Sequence, residues 1–282
     1  MTSPAQLAFT LTERLGIQGK PDLDQIAGRI GLRIREIDAE GFEGTLVRAL
    51  DAPKGIIGVA RSIRETSRRR FTIAHEIAHY LIPSHRNLPN VCESDAVESW
   101  KKGLAQPELE ANEFAVEFLL PARLVRGPLE LNDPSFSAIR RVANEYEASL
   151  SATTSRFVSL TDLPCVVVWS ENKKARWWRK SEAFPFYFSK ESIPSEGSFA
   201  YRLFEGGTAP NDFGEVPAGA WLERPEAEKT ARVFEHSIQF SNYAAVLTLL
   251  WFHLRDLPTD DDDLLRELEP EDFTVHRKRW PR

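Results

Sequence analysis

The stretch "TIAHEIAH", residues 72–79, sets His75 and His79 four positions apart, with Glu76 directly after the first. With His75 at zero on a helical wheel of roughly 100° per residue, His79 falls at roughly 40° and Glu76 at roughly 100°. Ile73, Ala74, Ile77, Tyr80 and Leu81 fill roughly 140–260° of the same wheel. The segment therefore predicts a helix with one core face and one face that concentrates two imidazoles and a carboxylate. The helical pattern runs from Thr66 to Ile82, and Pro83 stops it. Two imidazoles one turn apart can share one tetrahedral ion. The glutamate between them cannot easily ligate the same ion, but it can take a proton from a water that the ion acidifies. The competing reading is a solvent-exposed polar face on an ordinary core helix.

A hydrolytic site of this kind needs a third protein ligand. A second helix is predicted from Pro107, well placed in a first turn, to Leu120 before Pro121. Glu110, Glu113 and Glu117 fall on its polar back, whereas Glu108 and Asn112 lie side by side at i and i+4 inside an apolar arc. A lone carboxylate in a buried face is costly unless paired or bound to a metal. Glu108 is thus a candidate ligand, and Asn112 is placed to orient a ligating histidine. The alternative is an Asn-capped hydrogen-bond network without metal. His85, just past the Pro83 break, and Cys92 in "NVCESD" are rivals for the third position. His236, His253 and His276 lie far along the chain and read as structural or exposed.

The rest of the chain predicts an α+β protein. "DLDQIAGRI" reads as a short helix ended by Gly31, "LRIREI" as a strand, and "GTLVRAL" and "IIGVARSI" as a hairpin around "DAPKG". Residues 84–106 read as a polar surface excursion. Residues 135–162 read as two short helices, with Ser151 the expected N-cap of the second. After Pro164 the texture changes. "CVVVW", "ARWWR", "FAYRLF", "GAWLE" and "FEHSIQF" read as β-rich pieces, and six of the 7 tryptophans follow residue 165. These shifts divide the chain into residues 1–125, a helix-turn-helix-like connector over 126–162, and a β-rich C-terminal domain over 163–282.

Charge and composition narrow the partners. A net charge of -6 argues against a broad phosphate-binding surface. Arg140, Arg141 and "SATTSRF" could enter a major groove, but the acidic balance makes a connector or a docking surface the better reading than autonomous DNA binding. Two cysteines build neither a disulfide framework nor a four-thiolate site and suit a reducing cytosol. The N-terminus lacks a basic start followed by an apolar core, and "YAAVLTLLWFHL" is too short to cross a bilayer, so a cytoplasmic protein with no membrane partner is expected. The tail from Pro258, acidic then basic, reads as a solvated terminus.

"RRRFTIAHEIAHYL" and "ELEANEFAVEFLLP", in this order and separation, resemble the ImmA/IrrE family of bacterial metallopeptidases. The resemblance extends to the hairpin before them and to "VANEYEASLSATTSRF" after them. It implies a zincin-like fold, a short sheet packed on the HExxH helix. It implies His75, His79 and Glu108 as ligands of a divalent ion, zinc by usual assignment with manganese or another ion open, and Glu76 as general base. The implied partner is a protein substrate, a helix-turn-helix repressor of a stress response or mobile element, cleaved at a specific site. The order of peptidase, connector and β-rich domain is similar to the radiation-response branch, whose last domain is described as GAF-like. A competing class is a regulatory protein that grips a repressor or toxin-like partner on a zincin scaffold without cutting it; an intact Glu76 speaks against that. "IIGVARSI" is a candidate to pair with an extended substrate by strand addition.

Overall fold

A computed structural model describes residues 2–39, 41–49, 52–87, 91–93, 105–188, 194–223 and 232–253. The chain opens with α1 (Pro4–Arg14) and α2 (Leu23–Arg29). Asp22 starts α2 by accepting from the Gln25 N–H at 3.0 Å. Gly31 ends it at φ 85, where a Cβ would sit 2.3 Å from the Pro53 carbonyl oxygen. Strands β1 (Leu32–Ile37), β2 (Phe42–Arg48) and β3 (Gly55–Ala60) follow, with β2 and β3 forming the expected hairpin.

Sheet order corrects one expectation. β3 pairs with β1 in parallel and with β2 antiparallel, so "IIGVARSI" is an interior strand whose two edges are both occupied. Strand addition there has no free backbone to use. The far side of β2 is taken by β4 (Val91–Glu93), giving the order β1-β3-β2-β4. One face of this sheet, with Leu46, Ile57 and Val59, is buried under α3 (Thr66–Leu81), whose Ile73, Ala74, Ile77 and Ala78 complete the core.

The excursion predicted over 84–106 is partly structured. A tight 3₁₀ turn at Pro83–His85 buries His85, and β4 follows; residues 88–90 and 94–104 lie outside the described residues. Then come α4 (Gln106–Leu119), α5 (Ala122–Val125), α6 (Phe136–Tyr146) and α7 (Leu150–Leu160). Ser149, not Ser151, caps α7, because it is the last extended residue and its Oγ accepts from the Ala152 N–H at 3.1 Å. Thr153, Thr154 and Ser155 are buried, and Arg156 is committed to Glu117 and to the Leu120 carbonyl. That face of α7 is therefore turned inward rather than offered to a DNA groove.

The C-terminal sheet is antiparallel throughout. β5 (Cys165–Glu171) and β6 (Lys174–Lys180) turn through Asn172 and Lys173, both at positive φ as a two-residue hairpin loop requires. "FAYRLF" is not a strand but α8 (Phe199–Phe204), capped by Ser198. The buried Glu235 carboxylate also receives the Phe199 and Ala200 N–H groups at 3.0 and 2.7 Å. Six residues rich in aromatics carry no periodicity that separates the two forms, and these non-local acceptors decide for the helix. "GAWLE" is likewise a 3₁₀ turn at Ala218–Ala220 running into Trp221, whose indole donates to Glu235 at 2.8 Å. β7 (Gly214–Pro217), β8 (Arg232–Phe240) and β9 (Ala245–Trp251) complete the order β6-β5-β9-β8-β7.

Both faces of this sheet are covered, which explains why β9 is apolar without alternation. Val166, Val168, Val246 and Leu250 pack with α8 and Trp221, while Val167, Leu247 and Leu249 pack with Ile139, Val142 and Phe157 of α6 and α7. Among the described residues no helix is long and apolar enough to cross a membrane. The predicted solvated tail and His276 lie outside the described residues.

Candidate metal centre

The polar face of α3 is not solvated. His75, Glu76 and His79 are 0%, 0% and 6% exposed, because that face packs on α4 and β2 rather than on water. The structure brings His75, His79 and Glu108 together. His75 Nε2 lies 3.0 Å from Glu108 Oε2 and 3.0 Å from His79 Nε2, and His79 Nε2 lies 3.6 Å from the same carboxylate oxygen. A tetrahedral ion with bonds of about 2.0–2.1 Å separates its donors by about 3.3 Å, so the three atoms fit one such ion. Burial pushes the Glu108 carboxyl up, but hydrogen bonds and charge from the two imidazoles outweigh it and hold the group well below the usual carboxylate range.

Asn112, one turn after Glu108, settles which nitrogen of His75 is free. Its Oδ1 can only accept, and it lies 2.9 Å from His75 Nδ1. His75 therefore carries its proton on Nδ1 and turns an Nε2 lone pair toward His79 and Glu108. Two Nε2 atoms at 3.0 Å are an unfavourable pair unless a proton or a cation lies between them. The donor set suits a divalent ion with mixed nitrogen and oxygen ligands.

Glu76 lies one position round the helix, against β2. A Cβ on Gly44 would come within 2.4 Å of Glu76 Oε1 and 2.7 Å of Thr72 Cγ2. Only a glycine leaves room for the carboxylate at this place. Gly44 is the site residue the sequence reading missed, and no local signal marked it: a glycine inside "GFEGTLV" suggests only a close approach of unknown partner. Farther along β2, Arg48 donates to the His79 carbonyl and, at 3.2 Å, to the Tyr80 carbonyl, tying the strand to the end of α3.

The other candidates separate from the cluster. His85 is 2% exposed and packs its ring on that of His79, with centroids 4.8 Å apart, but its Nε2 faces Glu110 Oε2 at 3.0 Å. It is a neighbour of the donor set, not a member. Glu110 is thereby engaged. Glu117, also assigned to the polar back of α4, is 8% exposed and holds Arg156 and the Ala122 N–H. Cys92 sits on β4. His236 packs against Phe136 and Phe213, and His253 against Phe234 and Trp251; both histidines are in the C-terminal half.

Residues 27–157 match the family profile Peptidase_M78, described as the IrrE N-terminal-like domain. The matched span contains β1 to β4, α3 and α4, and with them every residue of the cluster. No curated protein sequence matches the chain. Among solved structures, the chain is similar to a Mycobacterium tuberculosis transcriptional regulator, with a TM-score of 0.53 at 16% identity over 88% of this chain and 75% of that one. At that identity the likeness is one of fold.

Proposed function

With an IrrE N-terminal-like domain over residues 27–157, the chain belongs to the ImmA/IrrE family, and on that premise we propose that it is a metal-dependent endopeptidase acting on a regulatory protein. In this reading the substrate is a helix-turn-helix repressor in the cytoplasm, cut at a specific site to release a stress response or a mobile element. The regulator-like structural neighbour is consistent with work in that setting. The observation that carries the reading is the convergence of three ligand-type atoms, all within 4.8 Å of one another, beside a buried glutamate.

His75, His79 and Glu108 would hold the ion, zinc being the best match to two imidazoles and one carboxylate and manganese an alternative. When bound, the ion supplies Lewis acidity to the scissile carbonyl and acidity to the attacking water. Glu76 accepts the proton from that water at its carboxylate and delivers it to the leaving amine. Asn112 keeps His75 in the ligating tautomer. Gly44 leaves room for the Glu76 carboxylate from which the attacking water would be deprotonated, and burial of His75, Glu76 and His79 leaves the partly exposed Glu108 side as the approach.

Metal content tests the assignment. Purified wild type is expected to carry one zinc or manganese ion per chain, and Glu108→Ala to lose it or bind it far more weakly under the same conditions. Wild-type protein that takes up neither ion from added stock would remove the basis for a peptidase and leave the binding-protein reading.

A further inference from the structure

We propose that His85, held by Glu110, is a positioning residue that fixes the ring of His79 for metal binding; this rests on the peptidase reading of the same cluster. Pro83 ends α3 and opens a 3₁₀ turn, so the chain reverses within three residues and lays His85 back on the helix it has just left. The His85 imidazole meets the His79 imidazole at a centroid distance of 4.8 Å and an angle of 43°. The His75 ring also meets that of His79, at 4.7 Å. The His79 imidazole is therefore in contact with two other rings, which limits its freedom about χ2.

His85 is itself anchored. Its Nε2 meets Glu110 Oε2 at 3.0 Å, and the other oxygen of Glu110 accepts from the Gln106 amide at 3.1 Å. Glu110 stands two positions after Glu108 on α4, so the anchor and the third donor move as one rigid element. The His85 Nδ1 atom is fully enclosed without a hydrogen-bond partner. An enclosed Nδ1 and an Nε2 turned to Glu110 give His85 no free atom for a substrate or an ion. What it offers His79 is a wall.

The proposal predicts an effect on metal affinity rather than on the fold. Equilibrium zinc binding against a competing chelator should weaken about tenfold in His85→Ala. His85→Phe restores a ring without the link to Glu110 and should recover most of that loss. Glu110→Ala, a change near the surface, should weaken binding by a smaller factor and needs no new packing. Melting of metal-free Glu110→Ala should stay close to wild type, and the visible bands of the cobalt-loaded form should shift in His85→Ala and return in His85→Phe. Wild-type affinity and an unshifted cobalt spectrum in His85→Ala would overturn the proposal while leaving the three-donor site standing. If His85→Ala does not fold, unchanged affinity and spectrum in Glu110→Ala would overturn it instead. Absence of metal in the wild type would bring down the peptidase reading and this proposal together.

Discussion

Glu76→Gln is expected to yield a protein that holds its ion at wild-type stoichiometry and has lost cleavage by about 10²–10⁴-fold, the usual contribution of a general base. The amide keeps the shape of the carboxylate but cannot accept the proton of the attacking water. Because Glu76 is not among the three converging donors, its replacement leaves the ligands unchanged. The assay is incubation with candidate helix-turn-helix repressors, with fragments followed by mass spectrometry and metal measured on the same sample. A variant that derepresses the target as well as wild type would show that the protein works by gripping its partner without cutting it.

Gly44→Ala should be almost as damaging, through crowding instead of chemistry. The new methyl would overlap the Glu76 carboxylate and Thr72 of α3, and with Glu76 fully buried the side chain has no solvent into which to retreat. Displacing a catalytic base by about 1 Å can cost about 10²-fold in rate, and overpacking a filled site costs about 1–3 kcal/mol of stability. The metal should remain, since the three atoms nearest that methyl belong to Glu76 and Thr72 and none to a histidine or Glu108. Cleavage rate, metal content and melting temperature on one preparation separate these effects. An alanine variant with wild-type rate would mean that the glutamate does not work from the position against β2.

What was legible in the sequence was whatever a single helix writes in its own period. His75, Glu76 and His79 on one face of α3, and Glu108 beside Asn112 on α4, follow from spacings of one, three and four residues. The hairpin and the helix ends at prolines were readable for the same reason. What two elements do to each other was not. A wheel shows a polar face but not whether water or another polar face covers it, so the burial of the cluster and of Glu117 had to come from packing. Gly44 meets Glu76 across 32 positions of sequence, and His85 reaches His79 only because a turn folds back. α8 and the turn before Trp221 depend on Glu235, which comes later in the chain than either. The sheet order that fills both edges of "IIGVARSI" is equally a property of the assembled fold.

The grip of Arg156 on the end of α4 bears on where this chain can be divided. Glu108 and Glu117 stand at opposite ends of one helix, nine residues or roughly 13 Å apart. A fragment ended at residue 125 would strip the far end of its arginine, leaving a buried carboxylate uncompensated and the Leu120 carbonyl without its donor. A fragment ended at residue 162 would keep that clamp but bare the sides of α6 and α7 that cover β5 and β9. Neither cut yields a clean module. The element that presents Glu108 is a beam with its other end built into the floor of the C-terminal half, so any biochemistry of the peptidase half belongs to the intact chain.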